Sequence, residues 1–290
     1  MMLSLRSRMQ SNNAFRIRSA RDDDWEPIER FLNHAERHYK ALEWWTIQEW
    51  LGTPGLLLAV DKRDQVVGLT LSIVNDGPVA WLRVISLGSE KCLAPLLNAS
   101  AAVVVEQGCT GLAFLGDEGW ISSKLRQAGF ARVNRVITLR RFGAWPLQLG
   151  PPDLLVEPAS LSDIDPILHV DHAAFAPMWW YDRDILVRAL DLAHSYRVAY
   201  LNGECAGYQL STLNQRRGHI VRLAVQPRLQ RQGIGGRLLS DAMQSFEAAQ
   251  AEVVTVNTQE DNLNSLRLYS RFSFERVGKP WTVWFRSMEQ

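Results

Sequence analysis

The chain has 290 residues, 47% of them hydrophobic, and its 32 Lys and Arg against 31 Asp and Glu leave a formal net charge of +1. That balance gives no broad electrostatic footprint for nucleic acid or an anionic membrane, and no apolar run reaches the roughly 18 residues of a membrane span. Cys92, Cys109 and Cys205 lie far apart without CxxC spacing, which indicates neither a disulfide framework nor a metal site. A cytoplasmic protein of two ordinary domains is expected.

Residues 1–14 read as a flexible start. From there Ala20 to Ile28 carries a strand end into an acidic helix start with Pro27 in the first turn. Leu58 to Val60 and Val67 to Gly68 flank the polar turn Asp61 to Gln65 as a hairpin, and Leu82-Arg83-Val84 reads as the next strand. The sequence then runs through Glu90 and Pro95 into a helix with no glycine loop. Pro146, Gly150, Pro151 and Pro152 mark a linker at 146–153 between domains at 15–145 and 154–290.

The second half repeats this plan. Ala159 to Ile167, with Asp163 and Pro166, answers Ala20 to Ile28; Trp179-Trp180 answers Trp44-Trp45; Val221-Arg222-Leu223 answers Leu82-Arg83-Val84. A helix is predicted over 162–175 and another over 182–193, followed by a hairpin at 196–201 and 205–213. A strand over His219 to Val225 then enters a stretch whose counterpart in the first half is about three residues shorter and has no glycine loop, Gln226-Pro227-Arg228-Leu229-Gln230-Arg231-Gln232-Gly233-Ile234-Gly235-Gly236. Glycines let the backbone bend and approach a ligand, and the helix that follows, with Leu238, Leu239, Ala242, Met243 and Phe246 on one face, begins with unpaired N–H groups and a positive dipole end. Phosphate is the chemistry that suits such a junction. A strand at 253–258, a helix at 263–271 and a last strand after Val277 complete a mixed α/β or α+β plan, a mostly antiparallel sheet flanked by helices.

These residues resemble the GNAT N-acetyltransferase superfamily. Gln230, Gly233 and Gly235 satisfy its acetyl-CoA signature, Val225-Gln226-Pro227 lies ahead, and Asn262-Leu263-Asn264-Ser265-Leu266-Arg267-Leu268-Tyr269 with Phe274 lies behind. The resemblance implies two tandem GNAT-like domains, in outline like mycothiol synthases, with the first degenerate: it lacks the glycine loop and has Leu125 in the place of Tyr269. It implies that backbone N–H groups of Gln230, Arg231, Gln232, Gly233, Ile234, Gly235 and Gly236 cradle the CoA pyrophosphate. Leu223, Ala224 and Val225 would pair with pantetheine as a strand pairs with a sheet edge. Asn262 is either a CoA contact or a helix cap. Tyr269 is either the acid that protonates the departing thiolate or a core aromatic beside Leu266 and Phe272. His219, expected on one face with Val221, Leu223 and Val225, is either the general base or a half-exposed histidine at a strand start.

Ribosomal-protein-alanine acetyltransferases share this layout but carry glutamate where Asn257 stands, so neither their base nor their peptide substrate is carried over. Ser273 also replaces the glycine usual before Phe274. The aromatic loop Ala176 to Tyr181 suits either an apolar or cationic acceptor or packing between the halves. The expected activity is direct transfer of acetyl from acetyl-CoA, the co-substrate, to a primary amine of a small molecule or peptide. Its alternatives are a non-catalytic acyl-CoA-binding module and transfer of a longer acyl group. The sequence specifies neither acceptor nor oligomeric state.

Overall fold

The structure, a computed structural model, describes residues 15–42, 44–116, 119–142 and 150–288. The start at 1–14 and residues 146–149 of the expected linker lie outside them. Among the described residues, no helix is long and apolar enough to cross a membrane.

The chain divides into two compact units, one made of the residues up to Ile73 with Leu82–Glu106, the other of Val74–Trp81 with the chain from Gln107 onward. In the first unit β1 (Phe15–Ser19), α1 (Trp25–Leu32), β2 (Arg37–Lys40), β3 (Leu56–Asp61), most of β4 (Val66–Val74), the part of β5 (Val79–Leu87) from Leu82 onward, and α2 (Leu93–Glu106) follow in order. Its strands lie β1-β3-β4-β5, with β2 added to β5. Leu56, Leu58, Val60, Leu69, Leu71 and Val84 alternate into one core that closes on Ile28 of α1.

The second unit contains β6 (Gly111–Leu115), α3 (Ser122–Gln127), β7 (Ala131–Phe142), β8 (Leu154–Pro158), α4 (Ile164–Ala174), α5 (Arg183–Leu192), β9 (Ser195–Leu201) and β10 (Glu204–Asn214). It continues with β11 (Arg217–Val225), α6 (Ile234–Ala248), β12 (Val253–Gln259), α7 (Leu263–Arg271) and β13 (Glu275–Ser287). Its strand order is β6-β13-β7-β12-β11-β10-β9-β8, so the two sequence repeats trade their last strands. β13 pairs antiparallel with β6, Val283 opposite Leu115, and β7 pairs antiparallel with β12, Val256 opposite Leu139. The exchange buries Ile137 and Leu139 with Val254, Val256, Tyr269 and Phe272 in the core beneath α6 and α7.

α6 forms where its apolar period predicts. Leu238, Leu239, Ala242, Met243 and Phe246 are all buried on the sheet, and the Phe246 ring lies so close over Gly218 that a Cβ there would meet it at 2.6 Å. Only glycine at 218 lets the helix sit this low on β11.

Candidate acyl-CoA site

β11 and β12 run parallel and pair only from Arg217 opposite Val253 to Ile220 opposite Val256. β11 then continues through Val221–Val225 and β12 through Asn257–Gln259 with no pairing to each other among the described residues. β10 holds the far edge of β11 and β7 the far edge of β12, so the strands part with unmatched backbone edges toward one another. The parting coincides with a bulge: Arg222 faces Leu210 but Ile220 already faces Ser211, leaving Val221 as the extra residue. A bulge bends its strand and raises local twist.

The bulge corrects one expectation. Gly218 and Ile220 face α6 before it, and Leu223 and Val225 face the start of α6 after it, while Arg222 turns to α4. His219, a neighbour of Ile220, therefore does not share a face with Leu223 and Val225. An uninterrupted period of two fails wherever an extra residue enters the strand.

The glycine loop closes the open end of this wedge. After a short 3-10 turn at Pro227–Leu229, the Gln230 side-chain amide donates to the Val225 carbonyl at 3.2 Å and ties the loop to the strand end. Arg231 and Gly233 take left-handed backbone angles, φ 64° and 86°. The first bond of α6 runs from Arg237 N–H to the Gly233 carbonyl at 3.0 Å, so the amides through Gly236 have no acceptor within the helix. Left-handed turns feeding a helix start converge N–H groups into an anion-binding concavity.

Asn262 caps α7, its side-chain oxygen accepting from Ser265 N–H at 3.1 Å. The cap role expected as one alternative is thus occupied, and the side-chain NH2 is the part left to meet a ligand. Tyr269 is buried in the α6–α7 core against Phe274, and burial raises its pKa above the ordinary phenol value. The phenol keeps its proton at neutral pH, as an acid must. His219 is half-buried, its Nδ1 lying 2.9 Å from Thr255 Oγ1 on β12. Cys205 is also buried, and burial pushes its thiol up to about 11, so it holds no thiolate at neutral pH.

On the α4 side of the bulge stands a network the sequence gave no direct sign of. Fully buried Asp171 accepts from Arg222 Nε and a terminal guanidinium nitrogen at 2.8 and 2.9 Å, from Tyr181 N–H at 3.0 Å, and from the Tyr208 hydroxyl. Arg222 also donates to the Trp179 carbonyl at 2.6 Å and lies over the Phe175 ring at 3.6 Å. Burial works against the guanidinium charge, but Tyr208 and Asp171 beside it hold its pKa above the ordinary value. A lone acid on the apolar face of α4 was the available signal.

The aromatic loop divides between its two expected uses in favour of packing. Trp179 lies 4.9 Å from Trp81 between ring centroids, in a cluster with Val79, Ala113, Val136 and Val283, and Trp81 Nε1 donates to the Met178 carbonyl at 2.7 Å. Trp180 stacks on His172 and donates to the Phe175 carbonyl at 2.9 Å.

In the first repeat the matching edge is filled. Arg83 corresponds to Arg222, so Val84 to Leu87 correspond to Leu223 to Gln226. β2 pairs antiparallel with these residues, from Lys40 opposite Val84 to Arg37 opposite Leu87. β4 holds the other edge, where Gly88 N–H donates to the Val67 carbonyl at 3.0 Å. Ser89 caps the turn that leads to α2, and Leu125 is fully buried.

A sequence profile described as the acetyltransferase (GNAT) family matches residues 161–274. An N-alpha-acetyltransferase of Sulfolobus acidocaldarius is 27% identical over 132 residues, 41% of this chain and 78% of that protein. Among solved structures, a GCN5-related N-acetyltransferase from Sphaerobacter thermophilus has a TM-score of 0.65 at 12% identity, with 96% of this chain and 97% of that one covered. A tandem GNAT protein from the clavulanic acid biosynthesis pathway has a TM-score of 0.62 at 12% identity, covering 95% and 99%. At such identities the two structures show a shared fold.

Proposed function

Because the chain belongs to the GNAT acetyltransferase superfamily, we propose that its second repeat, 154–290, transfers acetyl from acetyl-CoA directly to a primary amine. The observation that carries this reading is the parting of β11 from β12 directly ahead of the glycine loop and α6. Pantetheine is a chain of two amides, and the free edge of Leu223, Ala224 and Val225 offers it strand-like pairing. The amides from Arg231 through Gly236 would take the pyrophosphate, since Gln230 N–H donates to the Pro227 carbonyl at 3.3 Å, and the Asn262 NH2 would meet the chain of the co-substrate.

His219 would take a proton from the arriving ammonium. The amine lone pair attacks the thioester carbonyl, the C–N bond forms, and the C–S bond breaks as Tyr269 protonates the leaving thiolate. Acetyl-CoA and R–NH3+ give the amide, the CoA thiol and one proton to solvent, with no covalent enzyme intermediate. The first repeat, 15–145, keeps the fold without the ligand, since β2 occupies the edge that would receive it.

The α-amine of a peptide is the first acceptor to test, given the name of the archaeal relatives, although Asn257 stands where related peptide enzymes carry glutamate. The test is thiol release from acetyl-CoA against panels of peptide N-termini, lysine, polyamines and small amines, with CoA titrated by calorimetry. One CoA per chain and saturable release with one acceptor class are expected. CoA binding without release on any class would make the protein a binding module instead.

A further inference from the structure

Ile220 packs beneath α6, and so do Leu223 and Val225, although an uninterrupted strand would put residues 220 and 223 on opposite faces. Between them Arg222 reaches the other face, donating to fully buried Asp171 of α4 and to the Trp179 carbonyl. The bulge also decides where the backbone points, because alternate residues of an antiparallel pair turn their N–H and C=O toward the partner strand. Gln226 N–H donates to the Ala206 carbonyl of β10 at 2.9 Å, and Ala224, two residues back, stands opposite Tyr208. Leu223 and Val225 therefore turn their N–H groups away from β10, into the wedge beside β12. Were Val221 paired rather than bulged out, the register set by Ile220 opposite Ser211 would bring Leu223 opposite Tyr208 and Val225 opposite Ala206. Those N–H groups would then be engaged by β10, Arg222 would turn beneath α6, and buried Asp171 would lose its cation.

We propose that the Asp171–Arg222 ion pair is a register pin, which holds β11 in its bulged register and so keeps the Leu223 and Val225 N–H groups turned into the open wedge. Asp171 and Arg222 are positioning residues that act through the strand, from the face opposite α6. A buried ion pair adds little over apolar residues of the same size, whereas a buried charge without its partner is strongly unfavourable. The pair therefore discriminates between registers more than it stabilises either. That a co-substrate uses the turned-out N–H groups rests on the acyl-CoA reading, but the register itself does not.

The test is amide hydrogen exchange of the free full-length chain, followed by NMR together with cross-strand Hα–Hα contacts, which are close in the non-hydrogen-bonded pairs. In the native protein Leu223 and Val225 N–H should exchange roughly tenfold or more faster than Ala224 N–H, with a contact between Leu223 and Gln209. Asp171→Leu with Arg222→Met keeps apolar volume on both sides and releases the register. This double variant should narrow or reverse the order of exchange, bring Ala224 against Gly207, and bind CoA roughly tenfold or more weakly. Arg222→Lys, which keeps a cation beside Asp171, should retain the native order. Protected Leu223 and Val225 in the free native chain, or a native order unmoved in the double variant, overturns the proposal. A reversed order with undiminished CoA affinity would leave the pin standing and overturn instead the use of this edge by CoA.

Discussion

Replacing Gly235 by alanine separates what the loop does for the fold from what it does for a ligand. Gly235 is the second residue of α6, and a Cβ built on it would lie 3.4 Å from Leu268, 3.6 Å from Val225 and 3.8 Å from Leu223. All three are ordinary contacts, so the free protein has room for the methyl. Alanine in a helix is favoured over glycine by about 0.5–1 kcal/mol, and a first-turn position should keep the lower part of that range. The melting temperature without ligand should therefore rise by about 1–2 °C, at roughly 2–4 °C per kcal/mol. The same methyl points at the side chains of Leu268, Val225 and Leu223, in the apolar contact between α6, α7 and β11, and leaves the N–H groups of the loop uncovered. CoA affinity should therefore stay within about threefold of native, under about 0.7 kcal/mol. Thermal melts and calorimetric titration with CoA read the two effects apart. A tenfold or greater loss of CoA affinity in a variant at least as stable as the native chain would refute this placement of residue 235.

Tyr269→Phe should lower kcat by about 10²–10⁴-fold while leaving CoA affinity in place, and near-native turnover would remove Tyr269 from the chemistry. Asp171→Asn, which strands the buried Arg222 charge, should cost about 3–5 kcal/mol in melts. The pair Asp171→Leu with Arg222→Met should be less destabilised than either single variant; additive losses would contradict the reading of the ion pair. Cys205, raised from 9.0 to about 11, and Tyr196, Tyr208 and Tyr269, all raised by burial, hold their protons more tightly folded than unfolded. Their contribution is complete below about pH 9 and is lost as the pH rises from there through 11, so the urea midpoint should fall between roughly pH 9 and pH 11. A flat profile would place these groups in solvent.

Wherever one periodicity governed a whole element, it was legible in the residues. The apolar stripe of α6, the Asn262 start of α7 and the hairpin β9–β10 lie within a residue or two of their expected limits. Legibility failed where a backbone event broke the period or a partner came from far along the chain. The extra residue Val221 reversed the face of His219 relative to Leu223, and nothing in a run of Ile220-Val221-Arg222 announces a bulge. Asp171 and Arg222 are 51 residues apart, and Arg222 looked like a repeat marker because Arg83 matched it. The pairing of β2 with β5 was invisible for the same reason: Arg-His-Tyr-Lys is too short and polar to read as a strand, and only the vacant edge of β5 makes it one.

The exchange of final strands also limits how far the two repeats can act apart. β12 forms one wall of the proposed site, and its far edge is held by β7 from the first repeat, Val253 opposite Phe142 through Gln259 opposite Val136. β7 also supplies Ile137 and Leu139 to the core around Tyr269, and Arg141 donates to the Phe272 carbonyl from the same strand. A chain cut to 154–290 loses all of this at once. Its β12 edge and the apolar faces of Val254 and Val256 would be exposed unless β13 folded back onto them, which would require a new register for a strand of 13 residues. Such a fragment is expected to self-associate or to lose amide-exchange protection along β12, and to bind CoA at least tenfold more weakly than the whole chain. Adding 119–142 back as a separate peptide should restore part of the protection by reoccupying that edge. A monomeric 154–290 with native melting and native CoA affinity would show that the repeats are independent and that the traded strands serve neither the core nor the site.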